Sequence, residues 1–478
     1  MKRVRCMFFL LSVIVVFAFT VSVAAENEAA EDLTQSLLFD FGDYRYAASR
    51  VLHDQERYQV FSAGASFSFF REEMTGARLC LQWRELPQDV RVLQHDADGQ
   101  LLEETALPSD PETVTDLLPE TNSVTVQAGS EPMKLMLLKV YGPGELPDPF
   151  HLWNELPDYI DYLLISTHPD DDVLYLGSVV PTYGAEQGLI GSIAYVTCAS
   201  RQRMSEAENG AWAMGLRYRP IFMGFPDIPK DAPQEKKDTF IYRDLVQELV
   251  RLYRAHRPVV VFAQDEYGEY GHWQHILSSK AAREAFVLAV DPAYDSESVE
   301  RYGTWQVQKL YLHQYQENEF VIDADSPLLF FNGETAFQVA KAAYKKHESQ
   351  QRYGFSVEKQ GRYAFNRFGM SDGVVPAGND AFANIEPQLL SNYVPEIVTP
   401  APTEPPIVKP TEKPMETPEA SQYPSPTEMP DSAEKPEQWG EEKASGQDRI
   451  PIVWIAVAAA LAAGAIVLAA IRYGKKKE

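Results

Sequence analysis

The chain has 478 residues, 45% of them hydrophobic, so it is long enough for two domains with buried cores. Its 69 acidic residues against 43 Lys plus Arg give a formal charge of −26, which argues against nucleic acid as a partner because phosphate contacts need clustered cations. Three cysteines, Cys6, Cys80 and Cys198, exclude a disulfide scaffold and a Cys-rich zinc module, and Cys80 and Cys198 read as two separately buried thiols.

At the start, Lys2, Arg3 and Arg5 precede an apolar run from Met7 to Val23, and Val23-Ala24-Ala25 offers small residues for cleavage. The pattern predicts a signal peptide over residues 1–25, the run being short for a retained membrane anchor. From Leu37 to Tyr141, short runs with period-two character recur: Ala65 to Phe70, Ala77 to Trp83, Val90 to Gln94, Ser123 to Gln127 and Lys134 to Tyr141. They predict an all-β sandwich over 37–147, closed by the turn residues Gly142-Pro143-Gly144. Carbohydrate-binding modules share such folds, an analogy that leaves a glycan-binding and a spacer role both open.

From Asp158 the texture changes. Strands are expected at Tyr162 to Thr167, Ser192 to Thr197, Val259 to Ala263 and Gln308 to Leu312, with helices including Ser205 to Leu216 and Tyr242 to Ala255 between them. This alternation predicts an α/β domain over 158–385, built on a Rossmann-like, mostly parallel sheet whose active residues gather past the carboxyl ends of its strands. Residues 395–449 carry twelve prolines among Thr, Glu, Ser and Lys and read as a disordered stalk, ~170 Å long if fully extended at ~3.1 Å per residue. The unbroken apolar stretch 452–471 has the length of a transmembrane helix. Arg472, Lys475, Lys476 and Lys477 in the tail 472–478 predict a cytoplasmic C-terminus, with the rest of the chain outside the membrane.

Two clusters carry chemistry. After the first α/β strand comes Thr167-His168-Pro169-Asp170-Asp171-Asp172, three adjacent acids that repel one another unless a cation or a helix N-terminus lies beside them. A solvated acidic cap on the following helix is the plain alternative. After the strand ending at Ala263 comes Gln264-Asp265-Glu266-Tyr267-Gly268-Glu269-Tyr270-Gly271-His272-Trp273-Gln274-His275, in which His-x-x-His at a helix start puts two imidazoles on one face. His168, one carboxylate and His275 can converge as three ligands with a position left for water. Nitrogen and oxygen donors without thiolate suit Zn2+, with Fe2+ or another divalent ion as alternatives.

The strand followed by His168-Pro169-Asp170-Asp171, together with Gly271-His272-x-x-His275, resembles the PIG-L/LmbE-like zinc-dependent N-deacetylases. Between these motifs, Arg203-x-x-Glu206 before Met214-Gly215-Leu216, and Phe222-Met223-Gly224-Phe225-Pro226-Asp227, fit the same family in the same order. The resemblance implies His168, Asp171 and His275 as metal ligands and Asp170 as the general base acting on metal-bound water. It implies His272 as oxyanion stabiliser and helper in protonating the leaving amine, Tyr270 as a gate near the substrate carbonyl, and Arg203 and Asp227 as contacts to sugar hydroxyls. Two positions depart from the family. Asp172 stands where glutamate is commoner, and Trp273-Gln274 replaces Pro-Asp between the histidines, removing a carboxylate that Asp265 or Glu269 can replace.

The resulting expectation is a cell-surface enzyme that hydrolyses the acetamide of an N-acetylglucosamine-type sugar or glycan. An amidase acting on a non-sugar N-acyl substrate is the first rival, and an inert surface glycan-binding protein the second. Ser166, Ser200 and Ser205 lack a Gly-x-Ser-x-Gly context, so serine-hydrolase chemistry has little support.

Overall fold

The computed structural model describes residues 29–53, 57–72, 74–198 and 200–393. The segments expected as signal peptide (1–25), stalk (395–449), transmembrane helix (452–471) and basic tail (472–478) lie outside the described residues, among which no helix is long and apolar enough to cross a membrane.

The N-terminal region consists of nine strands: β1 (Leu38–Asp40), β2 (Gln59–Phe61), β3 (Ser66–Phe70), β4 (Arg78–Trp83), β5 (Arg91–His95), β6 (Leu101–Ala106), β7 (Glu112–Asp116), β8 (Ser123–Gln127) and β9 (Met133–Tyr141). They pair antiparallel into a sheet of order β1-β3-β8-β5-β6 and another of order β2-β9-β4-β7. Alternation sets the faces: Phe67 lies opposite Val126 and Phe69 opposite Val124, all four buried, while Ser68 and Thr125 between them join hydroxyls at 2.8 Å. Side chains from both sheets form one hydrophobic cluster around Phe61, Phe67, Leu81, Trp83 and Leu135. Trp83 is fully buried and its indole N–H donates to Thr113 Oγ1 at 3.1 Å, satisfying its one polar atom. Cys80 and Cys198 are both free.

The second region has seven strands: β10 (Tyr162–Ser166), β11 (Gly191–Thr197), β12 (Ile221–Phe225), β13 (Val260–Ala263), β14 (Lys309–His313), β15 (Glu319–Val321) and β16 (Arg367–Gly373). They lie in the order β12-β11-β10-β13-β14-β16-β15, with β10 to β14 parallel and β15 and β16 added antiparallel at one edge. The mostly parallel α/β sheet is as expected; its antiparallel edge was not. Both faces are covered, which explains why β10, β11, β13 and β14 are buried at every position. Tyr162, Leu164, Ile193, Tyr195, Val260 and Phe262 face one core with the helices Arg201–Ala213 and Ala336–Tyr344. Leu163, Ile165, Ala194, Val196, Val261 and Ala263 face the other, against the helices Tyr242–His256 and Trp273–Leu288. In Tyr242–His256 the buried Leu245, Val246, Leu249, Val250 and Tyr253 form a stripe at helical spacing, and Arg257 in the left-handed region ends the helix.

Chain order reverses at β10: β11 and β12 extend the sheet one way, β13 and β14 the other. A crevice therefore opens past the carboxyl ends of β10 and β13, where loops from neighbouring strands leave in opposite directions. The two chemistry-bearing clusters follow these two strands.

The β region and the α/β region pack as one compact unit. Arg201 pairs with the buried Glu112 of β7 at 3.3 Å and Arg219 with Asp110. His151, in the connecting segment, is buried with Nε2 2.7 Å from Asn209 Oδ1 and its ring stacked on Trp212 at 4.8 Å. Burial depresses its pKa to about 4. The unfolded chain therefore takes up the His151 proton near the ordinary value of about 6.5, whereas the folded chain does so only near 4, and stability is lost as pH falls through that window. Comparing thermal unfolding of the wild type and His151→Asn between pH 7 and pH 4.5 is expected to show the wild type losing about 2–3 kcal/mol relative to the variant.

Candidate metal centre

The loop after β10 is a strained turn held from several sides. Asp170 has φ 127°, a positive value that a residue with a side chain rarely adopts. Its N–H donates to Asp172 Oδ1 at 3.2 Å, and Asp172 Oδ2 accepts the Tyr195 hydroxyl at 2.9 Å. Arg203, reaching across from its helix, donates to Asp170 Oδ1 at 3.1 Å and to Pro169 O. Gln264, just past β13, ties the two loops together by accepting the Thr167 N–H at 2.9 Å.

Within this frame three donor atoms converge. His168 Nδ1 lies 2.9 Å from Asp171 Oδ2 and 3.1 Å from His275 Nε2, and His275 Nε2 lies 3.2 Å from Asp171 Oδ2. Ligands ~2.1 Å from a tetrahedral ion stand ~3.3–3.4 Å apart, so the triangle is close to the size a divalent ion requires. A looser grouping, His168 with His272 and His275, has donor atoms within 4.8 Å of one another. The tighter triangle leaves out His272, whose Nδ1 is already engaged, accepting the Gln274 N–H at 3.3 Å as an N-cap.

The tautomers agree with ligation. Gln274 donates its amide to Pro226 O at 2.8 Å and accepts the Ile228 N–H at 3.1 Å on Oε1, which fixes the orientation of the amide. That same oxygen lies 3.3 Å from His168 Nε2, so Nε2 carries the proton and Nδ1 offers its lone pair to the triangle. On the other side, Glu269 Oε2 lies 2.7 Å from His275 Nδ1, leaving Nε2 to face the centre.

The electrostatics separate the neighbouring acids. Burial, reinforced by the Asp171 charge, pushes Asp170 up to about 7. Burial would also raise Asp171, but His275 and His168 hold it well below the usual carboxylate range. Burial would lower His275, yet Asp171 and Glu269 lift it to about 10. Asp172 is likewise raised to about 7 by burial, and burial with the charges of His168 and His275 drives His272 down to about 3. His272 is thus a neutral imidazole with its proton on Nε2.

A cavity of about 530 Å³ opens over the centre, lined by His168, Asp170, Asp171, Arg203, Asp227, Tyr270 and His272 among others. Seven of the eight residues singled out from the sequence therefore line it, and the eighth, His275, lies fully buried against His168 and Asp171. Arg203 is committed to Asp170 and Pro169 through one guanidinium nitrogen, while its NH1 is buried with no hydrogen-bond partner. Asp227 Oδ1 stands 3.7 Å from His168 Nε2. Tyr270 sits in a left-handed conformation, φ 46°, with its ring edge-on to His272 and His275. Gln264, Gln274 and His313 were not singled out from the sequence as site residues. His313 ends β14 on the same side of the sheet, a position that a search for polar residues at strand ends would have caught. His347 is buried outside the cavity wall, neither ring nitrogen having a hydrogen-bond partner.

Fold and site together define an α/β domain with histidines and carboxylates clustered at the switch point of its sheet. Residues 163–286 match the sequence family described as "PIG-L: GlcNAc-PI de-N-acetylase", which bears out the PIG-L/LmbE-like resemblance of the motifs. Among similar proteins, "1D-myo-inositol 2-acetamido-2-deoxy-alpha-D-glucopyranoside deacetylase 1" of Catenulispora acidiphila is 29% identical over 178 residues, covering 31% of this chain and 54% of its own. The corresponding deacetylase of Nocardiopsis dassonvillei is 28% identical over 182 residues, covering 31% of this chain and 61% of its own, so the chain spans less than two thirds of either relative. A solved structure, "N,N'-diacetylchitobiose deacetylase" from Pyrococcus horikoshii, is 16% identical with a TM-score of 0.32, covering 45% of this chain and 83% of its own.

The tighter triangle makes a distinguishing prediction. Metal analysis of purified variants is expected to show Asp171→Ala losing most of its divalent ion, with affinity down at least ~100-fold, and His272→Ala retaining it. The reverse result would move the ligand set to the three histidines.

Proposed function

We propose that this chain is a divalent-metal-dependent N-deacetylase acting on an acetamido sugar of the N-acetylglucosamine type, with water as co-substrate and acetate and a free amino sugar as products. The observation that carries the reading is the ligand triangle with Asp170 beside it: a carboxylate outside the ligand set, at the cavity wall, with its pKa lifted toward neutrality. The relatives' names, which specify deacetylation of an acetamido-deoxyglucopyranoside, support the sugar over a peptide.

His168, Asp171 and His275 would hold the ion, and Zn2+ suits their donors. A divalent ion there supplies polarisation of the amide carbonyl and acidification of a water molecule. Asp170 accepts the proton as the nucleophile adds to the carbonyl carbon, and Arg203 keeps its carboxylate aimed. The Nε2–H of His272 donates to the oxyanion that develops on the former carbonyl oxygen; this role suits a neutral imidazole and relieves it of being the main acid. Asp170, once protonated, returns its proton to the departing amine, which a weakly acidic carboxyl does better than a strongly acidic one. Tyr270 forms part of the wall over the acyl group, and Asp227 and Arg203, which also line the cavity, offer polar partners to ring hydroxyls.

The chain organisation belongs to the same proposal: a β-sandwich domain over 37–147, a deacetylase domain over 158–385, a stalk over 395–449 and a membrane helix over 452–471, with the catalytic part outside the cell. The apolar stretch and the basic residues after it support this orientation. Protease added to intact cells is expected to cut within 395–449 and release a soluble fragment; protection until lysis would reverse the orientation.

Two assays test the chemistry. Acetate release is expected from N-acetylglucosamine glycosides and not from N-acetyl peptides, and the opposite preference would replace the sugar with another acyl amine. Asp170→Asn is expected to keep its metal while kcat falls ~10² to 10⁴-fold with KM changed much less. Near-normal turnover in metal-loaded Asp170→Asn would remove Asp170 from the mechanism.

A further inference from the structure

The mechanism above leaves the buried carboxylate of Glu269 unused. Glu269 is fully buried in the short turn before Gly271, yet its carboxylate is saturated with partners. Oε2 lies 2.7 Å from His275 Nδ1 and 3.4 Å from Gln264 Nε2; Oε1 lies 2.7 Å from His313 Nδ1 and accepts the Asp265 N–H at 3.2 Å. Asp265, the other acid able to replace the missing carboxylate between the two histidines, instead accepts the Tyr267 N–H at 2.9 Å and has no contact with either imidazole. His313 is anchored in turn through Nε2, 3.0 Å from Ala364 O. Gln264 Nε2 approaches His275 Nδ1 at 3.1 Å, but the carboxylate contact is shorter, and a carboxylate only accepts, so Nδ1 donates.

We propose that Glu269 is the positioning residue of the metal centre: it bridges His275 and His313, holding the His275 proton on Nδ1 so that the Nε2 lone pair faces the ion. The inference rests on the deacetylase reading for His275 as a ligand and adds a residue to it. In a neutral imidazole the proton occupies one nitrogen or the other, and a proton on Nε2 blocks ligation. A carboxylate hydrogen-bonded to the far nitrogen selects the productive tautomer, restricts ring rotation and raises ligand basicity. His313 prevents the carboxylate from turning away, which joins the ligand to the end of β14 rather than to its own helix alone. The carboxylate lost from between the histidines is thereby supplied three residues before the first of them, and Gln274 in its old place serves His168 instead.

The test uses the full-length chain in detergent. Chelator competition for Zn2+ is expected to show Glu269→Gln binding ~10–100-fold more weakly than wild type, with the thermal stability of the metal-free proteins within a few degrees. Unchanged Zn2+ affinity in a folded Glu269→Gln protein overturns the proposal. Should that variant fail to fold, the wild type answers alone: with 15N-histidine labelling and His275→Gln for assignment, the Zn2+-loaded chain is expected to show a His275 proton on Nδ1 in a strong hydrogen bond. An unprotonated Nδ1, or one that exchanges with solvent as fast as an exposed histidine, overturns it. Neither measurement involves an acyl substrate, so a failed acetate assay with weakened Zn2+ binding would reject the substrate reading and leave Glu269 in place.

Discussion

Three lone-pair donors within 3.2 Å of one another repel unless a proton or a cation lies among them, and much of the α/β region is arranged around that constraint. The parallel pairing of β10 with β13 brings the two loops level, and Gln264 fastens them where they leave the sheet. Gln274 and Glu269 then take the outer protons of the two imidazoles, so that what remains at the centre is electron density. The cavity above is a consequence of the same geometry, since loops leaving a reversal point diverge.

Within four residues the turn also gives three carboxylates different tasks. Asp171 goes to the imidazoles, Asp170 to Arg203, and Asp172 inward to Tyr195 and to the backbone of Asp170. The left-handed backbone at Asp170 is the cost of giving adjacent side chains different surroundings, and the hydrogen bonds on both sides keep it there. One methylene fewer at Asp172 than the usual glutamate is compatible with this arrangement, because both of its oxygens find partners, one in the turn and one on β11.

Much of this was legible in the sequence because burial and chemistry left periodic or clustered traces. Strands buried on both faces read as apolar runs, and β10, β11, β13 and β14 appeared with boundaries off by about a residue; Tyr242–His256 was legible from its apolar spacing. The strands that escaped were β1 and β2, three residues each, the exposed β6, β7, the edge strand β12, and the antiparallel β15 and β16, whose pairing depends on partners far away in the chain. The site residues named from motifs came together, whereas the positioning residues were harder to see. Gln274 and His313 do their work through single hydrogen bonds to groups more than 40 residues distant, and local sequence records nothing of such contacts. Glu269 was one of two acids that fit equally well, and only the direction of its side chain separates them.

The helix Arg201–Ala213 touches both halves of the described chain. Near its start Arg201 grips Glu112 of the N-terminal sheets, and two residues on Arg203 grips Asp170; further along, Glu208 is fully buried, and Asn209 and Trp212 hold His151. One rigid rod is therefore shared between the N-terminal sheets and Asp170. Replacing the N-terminal sheets with a foreign module would leave Arg201 without Glu112 and allow the rod to shift, and a shift there reaches Asp170 through Arg203. The accessory region thus behaves less like detachable cargo than like one wall of the jig in which the catalytic turn is set.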